Sequence, residues 1–213
     1  MSEVTIRGER LLLRPDGSMV WPARSTLIVA DMHFGKADAF RAAGIPVPGG
    51  PSGTLARLDI ALHQSEVKRL IVLGDFWHTR AGRTDAVLEE LTRWRSARPS
   101  LKIELVRGNH DRAGPPPCSW SEVWHANLVE TPFHFTHAPE PSAGAYFVAG
   151  HLHPGVVLGR RSKDRLKLPC FWFGSVGAVL PAFGDFTGTA AIARQPGDRV
   201  FALAGEEIVD VSF

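Results

Sequence analysis

Two cysteines in 213 residues, Cys118 and Cys170, are too few for a disulfide framework, so stability must come from a packed core. No apolar stretch reaches membrane-spanning length. The longest uncharged run, Leu168 to Gly184, is broken by Pro169, Gly174, Gly177 and Pro181, and no membrane association is expected. Residues Met1 to Arg7 lack the apolar centre of a signal peptide, which makes the cytoplasm the expected compartment. A surplus of one charge is missing too: 24 Lys+Arg stand against 22 Asp+Glu, so bulk electrostatics do not mark a nucleic-acid binder. Internal repeats and low-complexity tracts are absent. What is present is 44% hydrophobic residues, enough for a substantial core, and at this length a single domain over residues 1–213 is expected.

The chain opens with short strands, Val4 to Arg7 and Arg10 to Arg14 about a Gly8-Glu9 turn, then Met19-Val20-Trp21, reading as the edge of a sheet. Ser25 to Ala30 is a continuous apolar run that suits a strand buried on both faces, and it ends at Asp31-Met32-His33. In an extended segment i and i+2 share a side, so Asp31 and His33 are expected to converge. Residues 44–53 hold four Gly and three Pro and read as a loop. Thr54 to Gln64 carries Leu55, Leu58, Ile60, Ala61 and Leu62 at roughly helical spacing, a helix expected to cover a sheet face. Arg69 to Leu73 is the next buried strand and empties into Gly74-Asp75-Phe76-Trp77-His78. A second helix, Thr84 to Arg98, has Thr84 as its cap and Pro99 as its stop. Ile103 to Val106 then runs into Gly108-Asn109-His110-Asp111. After Gly114-Pro115-Pro116-Pro117 the chain reads as β: Phe133 to His137, Tyr146 to His153, Val156 to Leu158, Leu166 to Phe173, Thr187 to Ala193, Val200 to Leu203 and Ile208 to Val211.

The polar groups that follow apolar runs form one set: Asp31, His33, Asp75, Asn109, His137, His151 and His153. Each alone has a bland reading as a turn or a satisfied structural histidine. Together they lie at the ends of separate strands, the edge at which α/β sheets build sites. The donors are wrong for a closed structural zinc and too rich in nitrogen for calcium or magnesium. They suit a pair of borderline divalent ions such as manganese, iron or zinc, bridged by one carboxylate.

These motifs resemble the calcineurin-like metallophosphoesterase superfamily, whose signature is Asp-x-His, Gly-Asp, Gly-Asn-His-(Asp/Glu), His and Gly-His-x-His in that order. The match spans Asp31 to His153 and departs at the fourth block, where family members often carry Gly before the histidine and this chain has Thr136. The resemblance implies an α/β four-layer sandwich, two mixed β-sheets flanked by α-helices. It implies further that Asp31, His33, Asp75 and His153 hold one ion and Asp75, Asn109, His137 and His151 the other. Such a pair lowers the pKa of a shared water and clamps a phosphate oxygen. By the same resemblance His110 is free of metal and stabilises the transition state or protonates the leaving oxygen, with Asp111 fixing its tautomer.

A narrower resemblance rests on Ala30-Asp31-Met32-His33-Phe34-Gly35-Lys36, Gly74-Asp75-Phe76-Trp77-His78 and His151-Leu152-His153-Pro154. It is to the bacterial ligase-associated metallophosphoesterases, described as manganese-dependent endonucleases or phosphodiesterases of a DNA damage response. It implies two Mn2+ ions, with Fe2+ or Zn2+ as alternatives, a DNA substrate, and a helicase and an ATP-dependent ligase as partners.

Basic residues trail four of the five blocks: Lys36 and Arg41, Arg80 and Arg83, Arg112, then Arg160, Arg161, Lys163, Arg165 and Lys167. Cations gathered round one rim bind a polyanion with salt-sensitive affinity, and single-stranded DNA is the expected ligand. His78, Arg112, Arg160, Arg161 and Lys163 are the expected substrate contacts, and residues 160–167 the expected hairpin tip above the metals. A small-substrate phosphoesterase acting on nucleotides or phosphomonoesters uses the same centre and is the competing enzymatic reading. A scaffold that keeps the fold without chemistry is disfavoured, because neither His110 nor any expected ligand is missing.

Overall fold

The buried apolar runs become strands of two mixed sheets packed face to face in the computed structural model, which describes all residues except 48–49, 118–119, 121–123, 143, 160–164 and 213. Among the described residues the first sheet runs in sequence order through seven strands. These are β1 (Ser2–Ile6), β2 (Glu9–Leu13), β3 (Met19–Trp21), β4 (Thr26–Val29), β5 (Arg69–Leu73), β6 (Lys102–Val106) and β7 (Trp124–His125). It is antiparallel up to β4 and parallel from β4 to β7, with Ile28 beside Ile71 and Ile71 beside Glu104.

The second sheet holds β8 (Leu128–Glu130), β9 (Phe133–Phe135), β10 (Tyr146–Ala149), β11 (Pro154–Leu158), β12 (Leu166–Phe173), β13 (Gly177–Val179), β14 (Ala190–Ala191), β15 (Arg199–Ala204) and β16 (Glu207–Asp210). Strands β9, β10 and β13 pair in parallel, and β11 with β12 forms an antiparallel hairpin.

After Thr26 and Arg69, strands β4 and β5 are apolar because both their faces are covered. Leu27, Val29, Leu70 and Val72 pack toward the helices, while Ile28, Ala30, Ile71 and Leu73 meet Phe133, Phe135, Val148 and Phe171 across the sheets. Trp21 stands edge-on to Phe133, 5.0 Å between ring centroids. Burying each such side chain stabilises the fold by roughly 1.5–3 kcal/mol. The described helices are α1 (Lys36–Ala42), α2 (Pro51–Ser65) and α3 (Asp85–Ser96). In α3 the Thr84 hydroxyl accepts from Val87 N at 3.3 Å, and Val87, Leu91 and Trp94 are buried, Trp94 stacking on Trp120.

The structure corrects several boundaries. Residues 51–53 are not loop: Pro51 opens α2, since a proline at the first helical position lacks only an N–H that would be unpaired anyway. Helix α1 is not legible in the sequence, being one short element seated by close backbone packing of Gly35 on Gly82. The run from Tyr146 stops at Ala149, because the backbone turns left-handed at His151 and His153. Of Thr187 to Ala193 only Ala190–Ala191 pairs. Strands β7, β8 and β13 are additions, two or three residues long and fixed by their neighbours rather than by local pattern.

Candidate metal centre

Five loops meet at one edge of the two sheets, and they are stitched together through the main chain. Asp31 N donates to Gly74 O at 3.2 Å, His33 N to Asp75 O at 2.9 Å, and Gly150 N to His137 O at 2.9 Å. Asp31 and His33 do converge, but not as alternate residues of an extended strand. Their φ angles are 54° and 49°, and Asp75, His151 and His153 are likewise left-handed at 48°, 69° and 44°. Asp and His tolerate that region better than most residues, yet each such position costs on the order of 1–3 kcal/mol, met by the surrounding packing.

Glycines let these loops approach each other. A side chain added at Gly74 would lie 2.3 Å from His137 Nδ1, one at Gly108 2.2 Å from Asp75 N and Oδ1, and one at Gly150 2.6 Å from Asp31 Oδ2. Each glycine of a motif thus makes room for a polar group of another motif, which is why Gly precedes Asp75, Asn109 and His151. At the fourth block Thr136 takes the place where family members often have glycine. It is buried and its hydroxyl donates to Ala138 O at 2.8 Å, so the loop accommodates it.

Two ligand groups result, Asp31 with His33 and His153, and Asp75 with His137 and His151, the donor atoms of each lying within 4.8 Å of one another. Asn109 joins the second, its Oδ1 lying 2.9 Å from His137 Nε2. Asp75 stands between them: Oδ1 is 3.4 Å from His137 Nε2, and Oδ2 is 4.0 Å from His33 Nε2.

The donor chemistry fits a cation at each group. His137 Nδ1 lies 3.0 Å from the Leu73 carbonyl, an acceptor, so the proton belongs on Nδ1 and the neutral ring presents a lone pair at Nε2. That lone pair faces Asn109 Oδ1, Asp75 Oδ1 and, at 3.0 Å, His151 Nδ1. In the other group His33 Nε2 and His153 Nε2 are 3.4 Å apart, with Asp31 Oδ2 3.7 Å from His153 Nε2. Burial pushes the His33 pKa down to about 2, with Lys36 and neighbouring histidines adding to the effect, so this imidazole is neutral and available as a ligand. Acceptors aimed at one another are repulsive without a positive ion among them.

His110 lies at the rim with about two-fifths of its side chain exposed and Nε2 4.0 Å from Asp75 Oδ2. Its Nδ1 is 2.8 Å from His78 O, an acceptor, so Nδ1 donates and Nε2 is left free of that carbonyl. The expectation that Asp111 orients this imidazole is overturned. The Asp111 carboxylate is buried and accepts from Gly108 N at 2.8 Å and Trp77 N at 3.0 Å, tying the third loop to the second. Burial raises its pKa to about 6, against the pull of these two N–H groups. His78 stacks on His110, ring centroids 5.8 Å apart and 13° between planes, and is half-buried.

Among the basic residues, Arg112 is exposed beside His110, whereas Arg83 serves the fold: its guanidinium donates to Ala113 O and Pro115 O and lies over the Trp77 ring. Arg41 pairs with Asp38. Arg160, Arg161 and Lys163, and with them most of the expected hairpin tip, lie outside the described residues.

No helix among the described residues is long and apolar enough to cross a membrane. A search among curated proteins finds no match. Among solved structures, that of Pseudomonas putida nuclease MPE superposes with a TM-score of 0.87, at 39% identity over 99% of both chains. Yfce, a phosphoesterase from E. coli, is similar at 16% identity over 88% of this chain and 98% of its own, with a TM-score of 0.44. The family model described as calcineurin-like phosphoesterase matches residues 25–165, from the residue before β4 to the residue before β12, all five ligand loops included. On that match and on the strand-end ligand loops, the chain belongs to the calcineurin-like phosphoesterase family.

Proposed function

We propose that this metal-dependent phosphoesterase is a DNA endonuclease that uses two divalent ions, manganese being the proposed metal. The observation that carries this reading is the two-part donor cluster bridged by Asp75, set in a chain 39% identical over its length to a nuclease. In the proposed arrangement Asp31, His33, Asp75 and His153 hold one ion, and Asp75, Asn109, His137 and His151 hold the other. When bound, the pair supplies a nucleophile from water at neutral pH and clamps phosphate oxygens. His110, anchored through Nδ1, presents Nε2 to the leaving oxygen and, when both ring nitrogens are protonated, gives the Nε2 proton to it and returns to the neutral ring. Asp111 holds the loop carrying Asn109 and His110 against that carrying Asp75. The proposed substrate is DNA with single-stranded regions, and the proposed setting is cytoplasmic DNA repair alongside a helicase and an ATP-dependent ligase.

Metal-free protein incubated with circular single-stranded DNA and manganese tests the reading, because only an endonuclease opens a circle. Linear product dependent on manganese is expected, and none from Asp75→Ala protein. Intact circles alongside turnover of nucleotides or phosphomonoesters would replace this reading with a small-substrate phosphoesterase.

A further inference from the structure

Phe186 has no local reason for its conformation. It is 47% exposed, and its φ of 57° lies in the left-handed region that bulky residues avoid. The segment carrying it is nevertheless tied down. Phe183 N and Gly184 N donate to Ala30 O and Asp31 O at 2.8 and 3.0 Å, and a side chain at Gly184 would meet Met32 O at 2.3 Å. Asp185 accepts from the Thr54 hydroxyl at 3.0 Å and pairs with Arg57 at 3.0 Å. The chain that presents this exposed ring is thus anchored beside the first ligand loop, an arrangement that lowers the backbone entropy lost when something binds to it.

Phe186 lines one crevice with Lys36 and His33. The Lys36 ammonium is half-buried, its pKa is lowered by that burial, and it is close enough to His33 and His78 to disfavour their protonation. It forms no hydrogen bond or ion pair with a described residue. Asp31 acts on it electrostatically, but no described residue pairs with the ammonium directly, and a partly desolvated cation in that position next to a phosphoesterase centre is completed by an anion. Asp38, Thr54 and Asp185 line the same crevice, with Asp38 paired to Arg41 and Asp185 to Arg57, so Lys36 is its one lining cation among the described residues. On this rim the exposed Phe186 ring is the apolar surface on which a base attached to a phosphate at Lys36 can rest.

We propose that Lys36 and Phe186 form a nucleotide subsite flanking the metal centre, the ammonium taking a phosphate next to the scissile one and the ring stacking on a base. The subsite rests on the reading of the substrate as DNA. Stacking is tolerant of base identity, so it selects polynucleotide over small phosphoesters without selecting a sequence.

The test uses single-stranded oligonucleotides with one abasic position stepped along the strand, cut by wild-type and by Phe186→Leu protein in manganese. One position is expected at which loss of the base lowers wild-type kcat/KM about 5- to 150-fold, and at which the variant loses nothing further. Lys36→Gln is expected to lower the log–log salt slope of single-strand binding by about 0.7, one phosphate contact. Losses that multiply at that position, or a wild-type protein that cuts oligonucleotides with no abasic-sensitive position, overturn the stacking role alone. An unchanged salt slope overturns the phosphate contact. A wild-type protein that turns over a chromogenic phosphodiester and leaves every oligonucleotide intact overturns the DNA reading and the subsite with it.

Discussion

His110 Nδ1 lies 2.8 Å from the main-chain oxygen of His78, and the two imidazoles stack 5.8 Å apart. The carbonyl fixes which nitrogen carries the proton and leaves Nε2 to exchange one with substrate. His110→Ala is therefore expected to lower kcat about 10²- to 10⁴-fold while both metals stay bound. Elemental analysis beside steady-state kinetics checks this. Metal content falling in step with activity would place His110 among the ligands.

Asp111 offers a separable prediction, because its carboxylate accepts from two backbone N–H groups and does not touch His110. In Asp111→Asn one acceptor becomes a donor facing a donor, at a cost of about 1–3 kcal/mol. Thermal melts are expected to show that loss, with the pH dependence of kcat unmoved. An unchanged melt with a displaced pH profile would return Asp111 to the role of orienting the imidazole.

The contrast between these two residues shows where sequence reading stops. The strand-end groups stand out in the sequence because polar residues directly after Ser25 to Ala30 or Arg69 to Leu73 have no packing reason to be there. The register of β4, β5 and β6 then follows from two-sided burial. What takes the His110 proton is decided by where the turn His110–Ala113 sets the chain against His78, and no spacing rule reports that. The left-handed angles at His151 and His153 are invisible for the same reason, so the strand from Tyr146 reads four residues too long. Helix α1 and Phe186 depend on contacts between Gly35 and Gly82 and between Gly184 and Met32, partners far apart in sequence.

Those close approaches predict a sharp glycine requirement. An added methyl at Gly108 would meet Asp75 N and Oδ1 at 2.2 Å, displacing the bridging carboxylate. Gly108→Ala is expected to weaken metal binding about 10- to 100-fold and to cost about 1–3 kcal/mol of stability. Gly188→Ala, where the methyl meets open space, is the control expected to change neither. Isothermal titration with manganese measures the first effect, and equal affinities for the two variants would refute the packing argument.

Acid should unfold the metal-free protein through its buried histidines. The His33 pKa falls from 6.5 to about 2 on folding, chiefly by burial, so the native state declines a proton that the unfolded chain takes up below pH 6.5. Stability from this group is present above pH 6.5 and is lost as pH falls toward 2, by up to about 1.4 kcal/mol per pH unit. His78, lowered to about 4 by burial and then by Lys36 and His110, acts in the same direction from pH 6.5 down to 4. Asp111 opposes them: its raised pKa of about 6 makes protonation favour the native state between pH 6 and 3.8. The His151 pKa is lowered too, chiefly by burial, so with three histidines against this one carboxyl the net expectation is destabilisation below pH 6.5, and His33→Asn should flatten that slope. Denaturant unfolding of metal-free wild-type and variant proteins at pH 7.5, 6 and 5 decides it. Parallel stability curves would mean that His33 takes up its proton in the native state. Bound metal, which requires the neutral ring, is expected to raise stability at pH 7.5 and to be released as the pH falls, making the loss steeper than in the metal-free protein.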